Sequence, residues 1–152
     1  VRQLLREDVE LILASKATET RLATSLVKIG AGITGEPVEG AVLEACVQQG
    51  EHYIVFLTAG IPYEDSLHIH LLDSDLLHRD SVMLAAAYTT GNFRNLILEE
   101  GGALSFEFFG SRLWTVSVLS EKRLRIPYLS GPSGVSWSKG LFHQLDIRSS
   151  RN

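Results

Sequence analysis

The sequence predicts an α+β fold: N-terminal helices packed on a largely antiparallel β-sheet with a C-terminal β-meander. Three observations predict it. Apolar residues recur at helical spacing over the first fifty positions. The period then shortens at "HYIVFLTAG", a β-branched and aromatic run starting at His52. From residue 103 onward, "ALSFEFFGSRLWTVSVLSEKRLRIPYL" alternates apolar and polar residues between short turns.

The elements follow in order. Residues 2–14 carry Leu4, Leu5, Val9, Ile12 and Leu13 on one helical stripe. Residues 18–29 carry Leu22, Ala23, Leu26, Val27 and Ile29, with Gly30 as the stop. After "GAGITGEPVEG", a third helix over residues 37–49 begins at Pro37 and closes at Gly50. "HYIVFLTAG" is a buried strand, "IPYED" turns the chain, and "SLHIHLLD" returns as the second strand of a hairpin. Residues 78–90 fit either a strand or a helix, and Asn92–Glu100 reads as a short helix stopped by Gly101 and Gly102. The meander follows. Ser105–Phe109 and Leu113–Leu119 flank a turn at residues 110–112, and a charged turn at residues 121–123 leads to Leu124–Leu129. In the middle strand Trp114, Val116 and Val118 share one face. Pro127 lacks an N–H, which makes that last strand an edge.

The chain has 152 residues and suits one domain, residues 1–152, at roughly 100–200 residues per domain. No apolar run reaches the ~18–20 residues of a membrane-crossing helix. Val1-Arg2-Gln3 opens no signal-peptide stretch. The single cysteine, Cys46, sits among apolar neighbours as a buried residue and cannot form an internal disulfide. These features predict a cytoplasmic protein away from the membrane.

Charge is uneven. Residues 1–100 hold 15 acidic and 7 basic side chains, net −8; residues 101–152 hold 3 and 7, net +4. Between Glu36 and Asp80, nine acids face Arg79 alone. An acidic middle disfavours nucleic acid as a ligand and favours a basic protein.

"LHIHLLDSDLLHRD", residues 67–80, concentrates three histidines and three aspartates. On a strand, His68 and His70 share one face with Leu72, and Leu67, Ile69 and Leu71 share the other. Two such histidines can reach one metal ion, with His78, Asp73 or Asp75 as a third ligand. The other readings are acid–base chemistry, or a solvated or interface face with "DSD" as the turn. "GAGITG" matches G-x-G-x-x-G at Gly30, Gly32 and Gly35. A dinucleotide site needs a strand just before it and an acidic residue about 20 positions on. A predicted helix precedes it, and Thr58 occupies the acidic position, which leaves a glycine-rich connection. No nucleophile elbow or phosphate loop occurs.

The stretches "HYIVFLTAGIPYEDSLHIHLLDSD" and "LSFEFFGSRLWTVSVLSEKRLRIPYLS", in an acidic chain of helices followed by a meander, resemble bacterial immunity proteins that neutralise a cognate toxin. Those of contact-dependent inhibition systems are included. The resemblance implies a non-enzymatic inhibitor, without cofactor or metal, that covers a toxin's active site or a nearby surface. A nuclease-like toxin is basic because it must bind phosphate backbones. The partner-binding residues expected on this reading are Tyr63, Glu64, Asp65, Asp73, Asp75, His78 and Asp80. Two alternatives remain: a small metal-dependent hydrolase using His68 and His70 with Asp73, and a structural subunit that self-associates through the edge near Leu124–Leu129. The oligomeric state stays open.

Overall fold

The computed structural model describes residues 1–61, 64–86, 91–124, 135–137 and 142–150, and it is built from strands. Where helices were expected, the chain forms β1 (Arg2–Gln3), β2 (Val9–Ser15), β3 (Thr24–Ile29), β4 (Gly32–Ile33), β5 (Val38–Glu39) and β6 (Val42–Gln49). The middle of the chain forms β7 (His52–Thr58), β8 (Leu67–Asp73), β9 (His78–Leu84) and β10 (Arg94–Leu98). The last part forms β11 (Leu104–Glu107), β12 (Leu113–Leu124), β13 (Val135–Trp137) and β14 (Phe142–Ser150). Among the described residues the helical content is one 3-10 turn, Glu100–Gly102. The α+β expectation is therefore corrected to an all-β architecture, including the helix expected over residues 92–100, which is β10.

The pairings described are antiparallel and make three sheets. The central sheet has the order β1-β6-β7-β8-β9-β13. A second sheet has the order β10-β11-β12-β14. A small third sheet has the order β2-β3-β4, with β5 also pairing β3. The second sheet packs on one face of the central sheet. Ala45, Val47, Ile54, Phe56, Leu67, Ile69, Leu71, Val82 and Leu84 meet Leu104, Phe106, Trp114, Val116, Leu145 and Ile147 there. The small sheet covers part of the opposite face, where Val9, Val27 and Val38 meet Cys46, Val55, Leu57 and Leu72.

This layering explains the misread helix over residues 37–49. A strand buried on both faces loses the alternation that identifies a strand. In β6, a bulge between Leu43 and Ala45 shifts the side-chain sequence. Leu43 and Cys46 face the small sheet while Ala45 and Val47 face the other core. The resulting apolar spacing at 43, 46 and 47 imitates one helical face. The stripe of residues 2–14 is split as well: Leu4 and Val9 are buried, whereas Leu5, Ile12 and Leu13 are exposed.

Other expectations hold. β7 and β8 form the predicted hairpin, with Leu67, Ile69 and Leu71 on one face. β11 and β12 form the next, with Trp114, Val116 and Val118 on the core side. Cys46 is buried, and that burial pushes its thiol pKa up to about 12, which leaves it inert. The glycine motif makes a two-residue hairpin turn between β3 and β4, with Gly30 at φ 58°. No helix follows it, so the dinucleotide reading falls. The turn expected at residues 121–123 is absent, because β12 runs through it. β12 is interior, between β11 and β14. Of the proposed edge at Leu124–Leu129, residues 125–129, including Pro127, lie outside the described residues.

Candidate binding cleft

The small sheet leaves part of the central sheet's face uncovered. Register places His68 beside Met83 and His70 beside Ser81 on β9, with Leu57 and Val55 of β7 on the other side. Above them passes β5, held by its pairing with β3. Gly40 makes this approach possible. Its φ is 134°, and a Cβ there would lie 2.5 Å from the Leu57 Cβ. The Ser25 hydroxyl donates to the Gly40 carbonyl at 2.8 Å and pins the segment down. Glu39 is thereby set over the histidines, and a cavity of about 550 Å³ opens beside them. Its walls include Glu36, Glu39, His68, His70, His78 and Ser81. A second cavity of about 720 Å³ shares Pro37, Glu39 and Met83 and runs on to Arg21 and Thr24.

The His70 proton can be assigned from its partners. His70 Nε2 lies 2.8 Å from the Glu39 carbonyl oxygen, which can only accept, so Nε2 carries the hydrogen. Burial, the main cause, holds the His70 pKa down at about 3, so the ring is neutral and its Nδ1 is bare. That Nδ1 accepts from His78 Nε2 at 3.2 Å. His68 is likewise neutral, with burial lowering its pKa to about 4. Its Nδ1 lies 3.6 Å from Glu39 Oε2, and its Nε2 shares a hydrogen bond with the Ser66 hydroxyl at 2.9 Å. His78 reaches the surface with its outer edge. Desolvation of its inner part lowers its pKa, and the Asp80 carboxylate pulls the other way.

His68 and His70, only 2% and 4% exposed, do not lie on a solvated strand face as one reading expected. Both His70 nitrogens are committed within the protein. Among the described residues, no three His, Cys, Asp or Glu side chains gather to hold a metal ion. The order Ser66, His68, Glu39 resembles an activated serine. However, Ser66 is buried and is not among the residues that wall the cleft, so its hydroxyl orients His68.

The residues expected as partner contacts are dispersed. Tyr63 lies outside the described residues. Glu64 is exposed, and Asp65 accepts from the Gly60 and Ser66 amides at the start of β8. Asp73 and Asp75 lie at the other end of β8, about 20 Å away at roughly 3.3 Å per residue. Asp73 caps the β8–β9 turn by accepting from the Asp75 and Leu77 amides and pairs with Arg79 at 2.6 Å. Asp80 is only 2% exposed and faces the opposite core. Its carboxylate accepts from the amides of Ser81, Gln144 and Leu145, tying β9 to β14. It is therefore removed from the contact set. His78 alone of that set walls the cleft.

Glu36 and Glu39 were missed, because no sequence signal joins them to β8; only the long-range pairing of β5 with β3 does. Asp80 had a signal. It alternates with Val82 and Leu84, and all three point inward.

No protein family, curated protein or solved structure matches the chain. No helix among the described residues is long and apolar enough to cross a membrane.

Proposed function

We propose that this protein is a non-enzymatic binding protein of the immunity type, which takes a basic group of a toxin-like partner protein into the imidazole cleft. One observation carries the reading. The cleft sets two exposed carboxylates, Glu36 and Glu39, over neutral imidazoles, and no lysine or arginine walls it among the described residues. A lysine or arginine side chain entering there meets the negative charge of the two carboxylates above a partly desolvated floor, where charge pairs outweigh those at an open surface. The dispersed acids at the two ends of β8 serve as long-range steering charge for a basic partner.

The test is paired capture at low salt, with the wild-type protein and the E36K/E39K variant as baits. The expected result is a stoichiometric basic protein held by the wild type and lost from the variant. Its toxicity in cells should be suppressed by the wild type alone. Equal retention on both baits sinks the reading. The main-chain bond from Glu39 to His70 survives these substitutions, and the side-chain partner lost from the floor is the Glu39 carboxylate beside His68 Nδ1.

A further inference from the structure

β2 is the outer strand of the small sheet, and among the described residues no strand pairs with its far side. The Asp8 carbonyl accepts from the Gly30 amide across the start of the β2–β3 ladder. Hydrogen-bonded and non-hydrogen-bonded positions alternate along an antiparallel pair. Glu10 and Ile12 therefore turn their backbone groups toward β3, while Leu11 and Leu13 turn theirs toward the open side. The centre of this edge is apolar: Ile12 is 40% exposed and Leu13 is 51% exposed. Edge strands are normally blunted with charge or proline, and Leu11-Ile12-Leu13 carries neither. A bulge lies past this centre, between Leu13 and Ser15.

The ends of the strand differ in charge. Glu7, Asp8 and Glu10 precede the apolar centre, with Arg6 beside them in the chain and Lys28 opposite Glu10 on β3, and Lys16 follows it. An antiparallel copy of the same strand brings the acidic end of each chain to the basic end of the other, twice. A parallel copy opposes like charges. We infer that β2 pairs antiparallel with β2 of a second copy of this chain, across a two-fold axis near Ile12. Such an interface is closed, because each open edge is consumed by the other. β5 pairs β3 on the side away from β2, so this inference stands apart from the cleft and from what the cleft binds.

Sedimentation velocity of the full chain over a wide concentration range tests it, with L13K, K16E, E10K and the E10K/K16E swap. The wild type should be a dimer. L13K should weaken it at least tenfold by placing lysines near the two-fold axis, with its melting temperature kept because Leu13 is half exposed. Each single charge change should weaken the dimer and the swap should restore it, which also decides the matter if L13K folds poorly. A monomeric wild type throughout, a dimer indifferent to these changes, or open-ended aggregates in place of a dimer would each overturn the inference.

Discussion

The two faces of β8 are buried to nearly the same degree and do opposite things. Leu67, Ile69 and Leu71 disappear into an apolar core against the second sheet. His68 and His70, one residue out of phase, are buried against polar partners on the other side. The apolar face gains from area removed from water and needs no direction. The imidazole face needs a donor or acceptor for each ring nitrogen, because a buried polar atom left unpaired costs more than a pair gains. Burial alone therefore does not separate scaffold from site in this protein; the difference lies in which buried groups must be satisfied one by one.

The comparison breaks most severely at the apolar face. Phe56 is fully buried on β7, with the rings of Phe93 and Phe106 at 5.0 and 5.5 Å. Phe56→Ala should cost about 3–5 kcal/mol in urea unfolding through lost transfer energy and a residual cavity. The next largest effect tests a carboxylate buried at that core, Asp80. Asp80→Ala leaves the amides of Ser81, Gln144 and Leu145 without their acceptor. A loss of about 3 kcal/mol is expected, with hydrogen exchange rising first at Gln144 and Leu145. A loss below 1 kcal/mol, on the order of a surface change, would show that water replaces the carboxylate.

The imidazole face should reveal itself by pH. An unfolded histidine titrates near 6.5, whereas burial holds His68 at about 4 and His70 at about 3. Between those values the unfolded chain binds more protons, so stability falls as pH falls. The contribution is complete above the unfolded value and is lost through the folded ones. Each histidine adds a slope of about 1.4 kcal/mol per pH unit inside that window. Urea midpoints at pH 7.5, 6 and 5 should show it. His70→Leu should remove one such slope and lower stability at neutral pH, because the Glu39 carbonyl loses its donor. Parallel pH curves for the wild type and the variant would mean that His70 reaches solvent.

Legibility in the sequence follows the same division. Where one face of a strand is apolar and the other carries polar side chains, the period shows. The faces of β8 and the inward Trp114, Val116 and Val118 were readable for that reason. β6 was not, because cores on both faces and a bulge between Leu43 and Ala45 erase the period. Leu, Ala, Glu and Gln in that stretch also favour a helix locally, and tertiary packing overrides so weak a preference. The cleft was half legible. The histidine pair announces itself, but Glu39 reaches it through β5, a two-residue strand that no local pattern predicts.

The smallest effect separates a turn from a charge pair at the far end of β8. Asp73 both caps the turn, through the Asp75 and Leu77 amides, and pairs with Arg79, which is well exposed. Exposed ion pairs contribute little, typically below about 1 kcal/mol, so Arg79→Ala should lie within about 0.5 kcal/mol of the wild type. Asp73→Ala removes the cap as well and should cost about 1 kcal/mol more, much as loss of a helix cap does. Asp73→Asn keeps an amide oxygen in the capping position and should recover most of that difference while abolishing the charge. If instead Arg79→Ala and Asp73→Ala are equally costly, the ion pair rather than the cap holds the turn. The acids at this end of β8 would then be spent on the fold and would offer correspondingly less charge for steering a basic partner.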